Sequence, residues 1–210
     1  MSVEVNKYRK CLYDILKRTE VINHYIQGVK TTGYLGTDIE LIALQFRKII
    51  ELIALSSLVA NKKEYAAMRS KFREDWNARL IFQDLERVNP EFYPKPSKQI
   101  EKVNSEGVKY FEFEPIEAGY LSKKEAIKIY EKCGGVLHAE NPFRESKDIM
   151  QLQKQFPFWI KKIMTLMNHH SIILANKNMV VGLMKGKNDG LPHVTLFGLA
   201  ENQNIKQFKE

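Results

Sequence analysis

The chain has 210 residues, 44% of them hydrophobic and 10% aromatic, which is enough for one sizeable core. Its 33 Lys and Arg against 25 Asp and Glu give a formal charge of +8, a balance that suits acidic partners such as nucleic acid. The two cysteines, Cys11 and Cys133, are too few for a disulfide framework or a thiolate zinc site. No apolar run nears the roughly 18 residues that span a bilayer, and the opening "MSVEVNKYRK" has no signal-peptide core, so a cytoplasmic protein without membrane contact is expected.

Tyr8, Leu12, Ile15, Leu16, Ile22 and Ile26 recur at intervals of three and four, which predicts an amphipathic helix over 5–29. "GVKTTGYLGT" breaks it. Thr37 and Glu40 then form a capping-box pattern that launches a helix over 38–60, apolar around most of its circumference and therefore expected at the centre of a bundle. A third helix is expected over 62–88, capped by Asn61, with Tyr65, Met68, Phe72, Trp76, Leu80 and Leu85 as a core stripe and Arg69, Arg73, Arg79 and Arg87 off it. "NPEFYPKP" ends that helix.

The period changes in "KQIEKVNSEGVKYFEFEPI", where Val108, Tyr110, Phe111 and Phe113 flank the turn residues "NSEG"; a hairpin is expected near 98–116, inserted between helices. Ser122 and Glu125 repeat the capping-box pattern and start a helix over 122–140. Another helix is expected over 146–168, bent or restarted at Pro157. "SIILANK", "NMVVGLMKG" and "LPHVTLFGLA" then predict a three-stranded antiparallel meander over 171–199 that packs on the helices. The expected fold is mainly α (α+β), with a helical bundle over 1–168 carrying the hairpin and a small antiparallel sheet over 169–210.

Arg47 and Glu51 stand four apart on the most apolar helix, where unpaired charge is costly. Two readings stay open: an internal ion pair that sets helix register, or an arginine aimed at a phosphate or carboxylate. "CGGVLHAENPFRESKD", residues 133–148, is the other unusual stretch. Gly134 and Gly135 suit close packing against a neighbour, and Pro142 drives Asn141 out of the helical region and stops the segment. His138 there has Glu140, Asn141 and Arg144 within a turn, a combination able to provide an acid/base beside anion-binding groups. His169 and His170 end a helix, where imidazolium is favoured; with no carboxylate or thiolate cluster, no metal is expected. "GLMKGKNDG" lacks a phosphate-loop ending and reads as a hairpin turn, so no cofactor is expected either.

The buried helix reading "ALQFRKIIELIAL", the long helices around it, the positive charge and a late helix bearing a lone histidine before Asn-Pro resemble the HEPN superfamily of compact helical bundles, over roughly residues 5–168. The resemblance implies RNA as a partner and a homodimer, since the family's RNases, often of toxin–antitoxin or anti-phage systems, meet as two copies. It also implies metal-independent cleavage by an arginine followed four to six residues later by a histidine. Arg18 and His24 have that spacing but lie in the first helix, about 120° apart around its axis. In the late segment the order is reversed, His138 before Arg144. Carried onto this chain, His138 is the acid/base on a ribose hydroxyl, Arg47 or Arg144 stabilises phosphorane charge, and Asn141 and Glu51 assist binding. The alternative is a non-catalytic module that docks a protein partner through its helices or terminal sheet.

Overall fold

The computed structural model describes residues 3–68, 76–139, 143 and 148–198. Helix α1 (Val3–Ile26) buries Tyr8, Leu12, Ile15, Leu16 and Ile22 along one stripe, as their spacing requires. Helix α2 (Leu35–Ala60) runs through the centre and packs against α1 and against α4 (Ala78–Val88) and α5 (Lys123–Val136). Ile42, Phe46, Ile49, Ile50 and Ile53 are buried on it, which accounts for its apolar circumference.

The start of α2 differs from the capping pattern. The helix begins at Leu35, and Thr37 Oγ1 donates to the Tyr34 carbonyl instead of capping. Asp38, inside the first turn, accepts from Thr31 Oγ1 and the Thr32 amide and so draws the preceding loop back onto the helix end.

The expected third helix is divided. Helix α3 (Lys62–Met68) and α4 are distinct, because the Asn77 side chain accepts the Leu80 amide and takes the N-cap, a position Asn prefers over a helix interior. The predicted core stripe divides with it. Tyr65 and Leu85 are buried, whereas Met68, Trp76 and Leu80 are exposed. Phe72, Arg69 and Arg73 lie outside the described residues. Asn61 does not cap α3 with its side chain either; its Nδ2 donates to the Ser57 carbonyl and its Oδ1 accepts from Asn89.

Strands β1 (Lys95–Val103) and β2 (Lys109–Pro115) form the hairpin, with Asn104 accepting the Glu106 and Val108 amides in its turn. Strands β3 (His169–Ile173), β4 (Met179–Leu183) and β5 (His193–Phe197) form the meander. These two pieces are not separate. Lys95 pairs with Ser171 and Pro96 with His170, so the hairpin and the meander make one five-stranded antiparallel sheet in the order β2-β1-β3-β4-β5. The hairpin is thus anchored at its base to the C-terminal strands, and an insertion between helices is too loose a description of it.

Ser122 and Glu125 form the expected capping box at α5. After it come α6 (Ile149–Gln153), capped by Asp148, and α7 (Phe156–Met167), whose first turn holds Pro157, where a missing amide hydrogen is tolerated. Phe46 of α2 meets both Phe156 and Trp159 of α7, at ring-centroid distances of 5.5 and 5.4 Å. That aromatic contact fixes which side of α7 faces the core.

Candidate functional site

Arg47 reaches from α2 to α5. Its Nη2 donates to Tyr130 Oη at 2.7 Å, and the guanidinium carbon lies 4.0 Å from the Tyr130 ring centroid. Its Nε is 3.4 Å from Glu51 Oε1, while Lys48 Nζ stands 3.3 Å from the other Glu51 oxygen. Tyr130 Oη also donates to Glu51 Oε1 at 3.4 Å. Glu51 is only 7% exposed, so these partners compensate a charge that the core would otherwise exclude. Burial pushes the Tyr130 hydroxyl up, opposed by the nearby Arg47 charge. The neighbouring Cys133 thiol is pushed up to about 12 by burial, which makes it a packing residue and not a nucleophile.

At Gly134 an added methyl group would overlap Arg47 Nη1, so the guanidinium, the far end of its side chain, would have to shift. The close approach is therefore between a glycine and a guanidinium. Gly135 has no such role: a methyl group there meets nothing within 4 Å, so the expectation that both glycines face a tight contact holds for Gly134 alone. Helix α5 ends at Val136, and His138 is exposed in the turn that follows. Among the predicted site residues, Arg47 and Glu51 are brought together; Asn141 and Arg144, with Glu140 and Pro142, lie outside the described residues.

The histidine pair at the start of β3 is buried, contrary to the expectation of imidazolium at a helix end. His170 is fully enclosed: its Nδ1–H donates to the Met167 carbonyl at 2.9 Å, and its Nε2 accepts from Tyr8 Oη at 2.8 Å. Burial holds its pKa down at about 4 and also lowers His169, whose Nδ1 shares a hydrogen bond with Ser97 Oγ. Desolvation outweighs the helix-end field. Gly182 opposite is required, since a side chain there would run into the His170 ring.

A second arrangement, not singled out from sequence, lies between α5 and α7. A groove of about 350 Å³ is lined on α5 by Glu125, Lys128, Ile129 and Lys132, and on α7 by Phe158, Trp159 and Lys162, with Gln155 at its end. Phe158 is 69% exposed, and Trp159 is half-buried, packed on Phe46 on its inner side. Lys132 Nζ lies 5.8 Å from the Trp159 ring centroid and donates to Gln155 Oε1 at 2.9 Å. Lys162 pairs with Glu125 and, with the Ser122 donors, holds that carboxyl down at about 2. Lys124, Lys128 and Lys161 on the same two helices have no ion-pair partner among the described residues. The lining does not include His138. Lysines four apart on one helix and an aromatic pair on another carry no joint signal along the sequence; only the pairing of the two helices puts the cations around the aromatics.

A larger cavity, about 610 Å³, lies where the first turns of α1 meet the end of α2, α3, the turn between β3 and β4, and the strands β4 and β5, with Tyr8, Val59, Val180, Val194 and Leu196 in its walls. Among the described residues no cluster of His, Cys, Asp or Glu is arranged to hold a metal, and no helix is long and apolar enough to cross a membrane. Compared with family models, with curated proteins and with solved structures, the chain matches none.

Proposed function

We propose that the protein binds nucleic acid, RNA in the first instance, along the face shared by α5 and α7. The observation that supports this most directly is the ring of Lys128, Lys132 and Lys162 around an exposed Phe158 and a half-buried Trp159. Lys128 and Lys132, which have no carboxylate partner among the described residues, can displace the counterions of a phosphate backbone, with Lys162 paired to Glu125 beside them, and the flat apolar rings offer contact to bases. The overall charge of +8 favours encounter with a polyanion.

The test is a fluorescence-anisotropy titration of labelled single-stranded RNA across a salt series. Log affinity should fall linearly with log salt, and the double change Lys128→Glu and Lys132→Glu should weaken binding and flatten the slope by about 1.4, at about 0.7 per lost phosphate contact. Absence of binding at low salt overturns the reading. Incubating total RNA in EDTA with wild type and His138→Ala asks separately whether binding is accompanied by metal-independent cleavage with His138 as acid/base.

A second reading, a module that docks a protein partner, draws on the larger cavity beside the edge strand β5. It gains ground if RNA binding fails.

A further inference from the structure

We infer that the α5–α7 groove seats an unpaired base, so that the strand recognised along this face is single-stranded; this rests on the nucleic-acid reading above and would give that site its selectivity. The groove is concave and about 350 Å³ in volume, within the range of about 300–1,000 Å³ typical of small-ligand pockets. Its floor is Ile129, buried, and its aromatic wall is Phe158 with the outer part of Trp159. The Trp159 ring cannot turn away, because Phe46 meets it edge-on at 82° and Phe156 packs beside it at 5.7 Å. A ring held from behind and open in front is a stacking platform whose ordering entropy has been met by folding.

The chemistry at the rim divides in the way a nucleotide requires. Lys128 is exposed at the edge, where a phosphate would pass, while Gln155 and Glu125 place carbonyl and carboxylate acceptors at the groove itself. Lys132 lies over Trp159, held by the neutral Gln155, and a hydrogen bond to an amide is exchanged for one to a phosphate at little electrostatic loss. An incoming base would take the place of the Lys132 ammonium on the ring, releasing that cation to the backbone of the same strand. Duplex bases are stacked on one another and cannot enter such a pocket, so charge alone would hold a duplex here.

Trp76 is the only other tryptophan, and it is exposed, so Trp76→Phe leaves Trp159 as the sole indole reporter. In that variant, oligouridylate and oligoadenylate should quench Trp159 fluorescence saturably, with the same midpoint as anisotropy of the labelled strand. A blunt duplex of equal length should bind more weakly and leave the emission unchanged. Phe158→Ala, at an exposed position where folding is not at risk, should weaken single-strand binding about 5- to 150-fold while the salt slope stays that of the parent. Undiminished binding without quenching, or equal quenching by the duplex, or Phe158→Ala behaving as its parent, each removes the base pocket while leaving the nucleic-acid reading standing. No binding of any strand at low salt removes both.

Discussion

Tyr8 Oη, on the first helix, lies 2.8 Å from His170 Nε2 on the central strand of the sheet, and both side chains are buried. Because a carbonyl can only accept, the bond between His170 Nδ1 and the Met167 oxygen assigns the proton to Nδ1, so Nε2 must accept from Tyr8. The neutral ring is thus satisfied at both nitrogens, and the pair ties α1 to β3 in a single protonation state.

Acid should therefore unfold the protein earlier than its carboxylates alone would dictate. Below about pH 6.5 the unfolded chain protonates His170, whereas the folded chain does not until about pH 4. Stability present above that window is lost as pH falls through it, by about 3 kcal/mol at its lower end, and His169 contributes in the same direction. Urea unfolding at pH 7 and pH 5 checks this; equal midpoints would contradict a buried neutral ring. Tyr8→Phe should lose about 1–3 kcal/mol at pH 7, because Nε2 is left without a donor.

A second buried junction holds the helices to the sheet. Asn89 Nδ2 donates to Asn61 Oδ1 at 2.8 Å and to the Ile173 carbonyl at 2.7 Å, joining the ends of α4 and α2 to β3. Asn89→Asp removes both donors at constant size and should destabilise by at least about 2 kcal/mol, with two acceptors left unpaired and a charge introduced at a buried site. Thermal melting of the variant against Lys63→Ala, an exposed control, measures it.

The centre of the fold was legible in the sequence where one signal dominated. The apolar circumference of α2, the Ser122 and Glu125 pair and Pro157 each act locally, and each stands where its chemistry predicts. Long-range effects were not legible. Pro96 pairs with His170 across many residues of intervening chain, so no window reveals that hairpin and meander share a sheet. The break before α4 was missed because the aromatic spacing through Trp76 fits one continuous helix, whereas the Asn77 cap starts a new one. At the candidate site, Arg47 and Glu51 were visible as charges on an apolar helix, but Tyr130 and Trp159 acquire their roles only when α5 and α7 are placed against α2.

Ile49 and Ile53 are both fully buried on α2. Truncating either to alanine should destabilise by about 2–5 kcal/mol, since the surrounding helices cannot collapse into the space from every side. Lys123→Ala, which removes only an exposed pair with Glu86, should change stability by no more than about 1 kcal/mol. Denaturant midpoints of the three variants at constant slope decide it; an Ile49→Ala midpoint equal to wild type would mean α2 is not central to the core.

Two adjacent glycines should respond to alanine with opposite signs. At Gly135 the added methyl group meets nothing and the helix-propensity gain of about 0.5–1 kcal/mol should appear as added stability. At Gly134 the same gain is opposed, because the methyl group occupies the place of Arg47 Nη1 and pushes the guanidinium off Tyr130 and Glu51. Glu51 would then keep Lys48, a half-exposed cation, and the long bond from Tyr130 as partners for a buried carboxylate. Net destabilisation is expected, since one disturbed buried charge costs more than one favourable backbone substitution returns. The cause can be isolated with a double-mutant cycle. In an Arg47→Ala background the obstruction is gone, so Gly134→Ala should become stabilising, as Gly135→Ala is in the native background. If Gly134→Ala destabilises equally with and without Arg47, the glycine is required by its own backbone and not by the arginine packed against it.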